Sequence, residues 1–226
     1  MKFVSLSLLV PTLMLLIAGT VSADTLSFAP TPADLEDLDH HYVYTWRIDN
    51  VNLNGQVVTS ATLRINNIRN WDNNPNMLFI YLLDTAKGSG VRSFVDDPSF
   101  SAPVMDITDD FANARYHSNS NWLLASGTGM TKLTQQSFLK DYDPNVPGDQ
   151  GTNFVYVFTA AQLQALQNYI LNGNDFALGF DPDCHYFNDG ISLTIETRPV
   201  PEPTTLALLG SGLAGLYLRR RRRRTN

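Results

Sequence analysis

Between two long apolar stretches at its ends, the chain is patterned for strands. Tyr42-Val43-Tyr44-Thr45-Trp46-Arg47-Ile48 is aromatic, β-branched and alternating, and Gln56–Asn66, with Val58, Ala61, Leu63 and Ile65, continues that alternation with a break or bulge. Met77–Leu83 is apolar almost without interruption, as in a strand buried on both faces. Gly90–Phe94, Val104–Ile107, Trp122–Ala125, Phe154–Phe158, Phe176–Phe180 and Ile191–Ile195 are further strand candidates, while Thr131–Tyr142 fits a strand or a short helix. Asp24–His41, acidic and dotted with proline, reads as a lead-in with one short turn, and Asp72–Asn76 and Asp181–Gly190 read as polar loops.

Only one stretch of the interior recurs at helical spacing. Thr159-Ala160-Ala161-Gln162 fits a capping box, in which the Thr hydroxyl satisfies a free N–H of the first turn and Gln162 reaches back to the cap. Leu163, Leu166, Ile170 and Leu171 share a face, and Gly173 follows where a positive φ ends a helix, so the helix is predicted over Ala160–Asn172. Seven to nine short strands with one or two short helices predict an all-β fold, an antiparallel β-sandwich of the jelly-roll kind. A parallel βαβ sheet fits poorly, because only one helix has the right length.

The ends carry different information. Met1-Lys2 is a short positive region, Phe3–Ile17 is apolar, and Val21-Ser22-Ala23 offers the small residues that signal peptidase requires, which puts the mature N-terminus at Asp24, just after Ala23. At the other end, Pro199–Pro203 is followed by a mostly apolar segment, Thr204–Leu218, and then by Arg219, Arg220, Arg221, Arg222, Arg223 and Arg224. As a helix Thr204–Leu218 spans roughly 22 Å, short of a hydrocarbon core of roughly 30 Å, so it reads as a short transmembrane segment and a poor permanent anchor. The arginines keep residues 219–226 on the cytoplasmic side, which faces the folded domain outward. Pro201 and Pro203 lack the N–H that a helix or central strand needs, so Pro199–Pro203 is an extended, accessible linker. Gly210, Gly212 and Gly215 spell G-x-G-x-x-G, but no strand precedes them and no acidic residue follows at the required distance; they are small faces for close packing in lipid.

Pro201-Glu202-Pro203, the short apolar segment and the terminal arginines, in that order, resemble the PEP-CTERM sorting signal of exopolysaccharide-producing Gram-negative bacteria. The resemblance covers the tail alone. It implies recognition by an exosortase, a membrane protease-transferase, with cutting near the Pro-Glu-Pro triplet, transient residence in the inner membrane, and delivery to the cell surface or extracellular matrix.

Trimming both ends changes the charge. Seven of the 16 basic residues and one of the 22 acidic residues lie outside Asp24–Arg198, which leaves 9 basic against 21 acidic residues, a net charge of about −12 on about 175 residues. Such a domain is large enough for a core, repels nucleic acid and anionic surfaces, and suits divalent cations. Cys184 is the only cysteine, so no intramolecular disulfide is available to this exported domain.

Catalytic patterns are sparse. There is no G-x-S-x-G, and adjacent Cys184 and His185 would point to opposite faces of a strand. No Cys/His pair pattern supports zinc, and Glu36 and Glu196 are the only glutamates of the domain, the aspartates sitting mostly in turns. The strongest constellation is Asp181–Gly190, where Asp181, Asp183, Asn188 and Asp189 supply four hard oxygens for a calcium ion, although the spacing matches no EF-hand. A second acidic loop, Asp141–Asn145 with Asp149, lacks the Gly and Glu that complete such a loop. Trp71, in an Asn-rich loop, is the aromatic best placed to stack on a sugar, with Trp46, Trp122, Tyr116, Tyr142, Tyr186 and Phe187 as other members of a platform. These features favour a non-enzymatic surface or matrix protein associated with exopolysaccharide and biofilm, with a carbohydrate-binding module and a secreted polysaccharide or ester hydrolase as alternatives.

One outcome follows from the tail. Protein extracted from the cell surface should end near Pro201–Pro203; an intact mass that still includes Arg219–Arg224 would contradict this.

Overall fold

Alternation along the strands decides which side chains enter the core, and in this chain it produces two sheets facing one another. The computed structural model describes residues 23–71, 76–96, 108–113, 119–137, 151–200 and 204–222. In order these form β1 (Thr25–Phe28), β2 (Tyr42–Ile48), β3 (Gln56–Asn70), β4 (Met77–Leu83), β5 (Gly90–Val95), α1 (Asp110–Asn113), β6 (Met130–Ser137), β7 (Thr152–Val157), α2 (Ala160–Gly173), β8 (Phe176–Pro182), β9 (Tyr186–Phe187), β10 (Ile191–Pro199) and α3 (Thr204–Arg222). One antiparallel sheet has the order β1-β10-β3-β7, with β9 also paired to β3; the other has the order β5-β2-β8-β4-β6. Without β5 and β9, the remaining eight strands follow the winding of a jelly roll, two Greek keys closed into a sandwich.

The inner faces meet in one core. Leu63 and Ile65 of β3 and Leu193 and Ile195 of β10 pack with Trp46 of β2, Ile80 and Leu82 of β4, and Leu178 and Phe180 of β8. Leu166 and Ile170 of α2 join the same core from its edge. The outer face of the second sheet is also covered: Val43, Phe79, Tyr81, Leu83 and Ala177 lie beneath Phe111 of α1 and Trp122. Consequently β4 and β8 are buried on both faces, as the apolar run Met77–Leu83 predicts for β4.

Some boundaries differ from the sequence reading. β1 falls inside the expected lead-in; its partner, β10, is remote in sequence, with Thr25 opposite Glu196. Trp122–Leu124 is buried in the outer cluster without strand pairing, so apolarity there reflects packing rather than a ladder. Thr131–Tyr142 resolves as strand through Ser137. Val104–Ile107 lies outside the described residues. The bulge expected within Gln56–Asn66 is present, since the register of β10 against β3 shifts between Glu196, opposite Ser60, and Thr197, opposite Val58; a second shift, against β7, falls between Ile65 and Ile68, where Asn67 takes φ 49°.

Helix α2 is capped reciprocally. The Gln162 N–H donates to Thr159 Oγ1 at 3.4 Å, and the Thr159 N–H donates to Gln162 Oε1 at 2.8 Å. The C-terminal left-handed residue is Asn174 (φ 58°), not Gly173; its N–H donates to the Ile170 carbonyl. Gly173 answers a different need, since a Cβ there would lie 2.2 Å from Asp175 Oδ1. Leu171 is 65% exposed and not part of the buried face. α3 forms over the predicted apolar segment but runs on through four arginines, and among the described residues no helix is long and apolar enough to cross a membrane.

Gln162 also ties α2 to β6 and β7: its Nε2 donates to the carbonyls of Leu133 (3.0 Å) and Lys132 (3.2 Å), and its Oε1 accepts from Tyr156 Oη (3.0 Å). Gln162→Ala removes the cap and strands these buried partners, so it should cost about 2–3 kcal/mol, whereas Leu171→Ser should stay within about 0.5 kcal/mol. Urea midpoints at unchanged m-value test both.

Candidate metal centre

Along β8 the even positions Phe176, Leu178 and Phe180 enter the inter-sheet core, so Ala177, Gly179 and Asp181 face the outer cluster. Gly179 carries no side chain because Phe111 lies over it: a Cβ there would sit 2.6 Å from Phe111 Cζ. That close approach seats α1 on the strand and brings the Asp110 N–H to Asp181 Oδ2 at 2.7 Å. Asp96 follows β5 directly, and its N–H donates to the His41 carbonyl at 2.9 Å, which fixes it beside the start of β2. Asp96, Asp110 and Asp181 are all buried, and each offers a carboxylate oxygen within 4.8 Å of the others.

Two further aspartates adjoin them. Asp183 is 3% exposed; its N–H donates to the Met77 carbonyl, and neither of its carboxylate oxygens has a hydrogen-bond partner among the described residues. Asp109 is satisfied differently: Oδ2 accepts from Tyr81 Oη (2.7 Å) and Lys132 Nζ (2.9 Å), and Oδ1 accepts from the Ala112 N–H (3.0 Å). These five carboxyl groups act on one another's ionisation, and among the described residues Lys132 pairs with one of them, Asp109.

Burial makes the charged forms costly. It raises the Asp181 pKa to about 8, against the opposing Asp110 N–H and reinforced by Asp96 and Asp183. Burial likewise raises Asp183 to about 7, with Asp96 and Asp109 adding to it. Asp110 is pushed well above the carboxylate range by burial and by its hydrogen bond with Asp96. Two states resolve such a cluster: protonated carboxyls, or a bound cation. The oxygen set suits a hard divalent ion, since carboxylate oxygens within 4.8 Å of one another can all reach one ion at calcium–oxygen distances of about 2.3–2.6 Å.

The residues expected at this site divide. Asp181 and Asp183 lie in the cluster, whereas Asn188 and Asp189 belong to a different corner. Asn188 Nδ2 donates to the Asp34 carbonyl (2.8 Å), and its Oδ1 accepts from the Gly190 N–H (3.0 Å). Asp189 Oδ2 accepts from Asn67 Nδ2 (2.7 Å), with Arg69 3.5 Å from its other oxygen. The short strand β9 separates the two halves of what reads as one loop. Asp96 and Asp110 have no local signal, because sheet register and the Phe111–Gly179 contact bring them in. The Asp141–Asp149 loop lies outside the described residues.

Trp71 is 63% exposed at the end of β3, with His185 and Phe187 beside it at ring-centroid distances of 6.1 and 5.8 Å. Trp46, Trp122 and Tyr186 are core residues, and Tyr116 and Tyr142 lie outside the described residues. Cys184 is buried. Ala23 and Asp24 are exposed just before β1; Pro201, Glu202, Pro203, Arg223 and Arg224 lie outside the described residues, and Arg219, Arg220, Arg221 and Arg222 form the last turn of α3.

Fold and termini together define an exported β-sandwich domain with a C-terminal sorting tail. Residues 199–223 match the PEP-CTERM protein-sorting motif, so the chain carries a PEP-CTERM sorting tail, which implies export and membrane-associated sorting by an exosortase. No curated protein and no solved structure matches it.

The raised carboxyl pKa values have a defined sign. The folded state binds protons that the unfolded chain releases near pH 4, so the cation-free protein should lose stability as pH rises from about 4 to about 8. A cation bound there would compete with those protons, so calcium should flatten this decline. Melting curves from pH 5 to pH 8 with EGTA or with calcium test both parts.

Proposed function

We propose that this chain is a non-enzymatic exported module that holds calcium at Asp96, Asp110, Asp181 and Asp183 and associates with exopolysaccharide at the cell surface or in the extracellular matrix. The observation that carries the calcium reading is Asp183, whose carboxylate is 97% withdrawn from solvent without a hydrogen-bond partner among the described residues, beside three converging buried carboxylates. An unpaired buried carboxylate costs several kcal/mol unless it is protonated or meets a cation. In a domain without disulfides, an ion binding only the folded state adds stability by mass action. The same burial disfavours hydrolysis by these aspartates, because a polymeric substrate has to reach the carboxyl oxygens.

Trp71 supports the polysaccharide half. Its exposed ring, flanked by His185 and Phe187, offers a flat apolar face of the kind that packs on a pyranose ring, and burial would be the commoner fate of a tryptophan. Biofilm association follows from that contact together with the sorting tail.

Two measurements on the full chain test the reading. Calcium should raise the melting temperature by several degrees over EGTA, about 1–3 kcal/mol at saturating ion, and an unchanged value would remove the calcium site. Trp71→Ala should abolish retention on immobilised exopolysaccharide while leaving the melting temperature alone; equal retention of wild type and variant would remove the platform.

A further inference from the structure

The lead-in to β2 is built in an uncommon way. Leu35, Glu36, Asp37 and Leu38 have φ of 52°, 57°, 57° and 45°, a left-handed turn made of non-glycine residues. L-residues rarely adopt this backbone, and the turn is held by Leu35 and Leu38, both fully buried in the main core. It delivers Asp39, His40 and His41 to the surface in fixed order. Asp39 is pinned from behind, its N–H donating to Tyr44 Oη at 3.0 Å. His41 Nδ1 lies 2.7 Å and His40 Nδ1 3.7 Å from the same oxygen, Asp39 Oδ1. The two imidazoles are 4.0 Å apart, centroid to centroid.

A third imidazole reaches this group from the other end of the domain sequence. Asn188 ties the segment after β8 to the left-handed turn, with its N–H on Asp37 Oδ1 (3.3 Å) and its Nδ2 on the Asp34 carbonyl. His185, three residues earlier, is thereby close enough for its charge to act on both Asp39 and His40. Two of the chain's four histidines converge on one carboxylate and His185 lies near them; His117 lies outside the described residues. His185 Nε2 and His40 Nδ1 are both withdrawn from solvent and without a hydrogen-bond partner among the described residues. A buried imidazole nitrogen without a partner is an unused lone pair or an unused N–H, and either is costly in an ordinary surface turn.

We propose that Asp39, His40 and His41 form a binding site for a divalent transition-metal ion of the zinc or copper kind, which His185 completes on binding. Imidazole with one carboxylate suits these ions, in contrast to the all-oxygen cluster of Asp96, Asp110 and Asp181. In a tetrahedral site with bonds of about 2.0–2.1 Å, neighbouring ligand atoms are roughly 3.3 Å apart. The 2.7 and 3.7 Å separations around Asp39 Oδ1 bracket that value, and all three ligand atoms of Asp39, His40 and His41 fall within 4.8 Å of one another. His40 and His41 are 39% and 41% exposed, so an ion enters directly from solvent. The site does not require the calcium reading, although the Asp96 N–H on the His41 carbonyl joins it to the acidic cluster, and His185 lies beside Trp71.

The test uses the full chain without a polyhistidine tag, kept in saturating calcium so that the acidic cluster does not compete for the probe. Zinc titrated by calorimetry should bind at about one ion per chain, and His40→Ala and His185→Gln should each weaken it roughly 10-fold or more. Both variants should keep the calcium-dependent melting shift, which separates this site from the acidic cluster. Copper should quench tryptophan fluorescence, and Trp71→Phe should remove that quenching, because Trp71 is the ring beside His185. Zinc affinity unchanged in both histidine variants, or lost on His117→Ala instead, overturns the assignment. Tryptophan fluorescence indifferent to saturating copper overturns the place given to His185.

Discussion

Everything specific about this domain depends on β8 being enclosed from both sides. Its inner side chains, Phe176, Leu178 and Phe180, sit at the centre of the sandwich, and its outer positions lie under a second apolar cluster. A strand so placed has no solvent face on which to put a charge. Asp181 therefore exists there only in the company of groups that manage its ionisation, and the absence of a side chain at Gly179 is what admits α1, and with it Asp110, to that company. Stability and site chemistry are consequently the same problem in this region: the contact that closes the outer cluster also assembles the carboxylates.

The main elements were legible because most strands carry their burial pattern openly. The doubly buried character of β4 is written in seven apolar residues, and the capping box of α2 in four. β1 was not, since four residues of weak alternation acquire meaning only against β10 at the other end of the domain. Trp122–Leu124 misled in the opposite direction: covering a sheet from outside and pairing within it demand the same apolar side chains. Gly173 and Asn174 exchanged roles because both residues tolerate a left-handed backbone, and a steric demand from Asp175 decided between them.

The site was half legible. Asp181 and Asp183, two apart, share a side of an extended chain, and that spacing is the local signal. Nothing local marks Asp96 or Asp110. Asn188 and Asp189 look equivalent to the first pair in sequence, yet the intervening Tyr186-Phe187 strand on β3 turns the chain toward Asp34 and Asn67. The sorting tail, by contrast, depends on order along the chain and not on folding, so it is readable without any structure.

The length of β3 sets a geometry for the whole exported molecule. At Gln56 this strand lies opposite Pro199, where the sorting motif begins, and Gln56 Nε2 also holds Asp24 Oδ2 at 2.6 Å, so both ends of the domain meet at one corner. Trp71 follows the strand's opposite end. Fifteen residues of extended chain separate the two, roughly 45 Å along the strand. β3 thus keeps the exposed Trp71 at the far end of the domain from the residue at which the sorting motif begins.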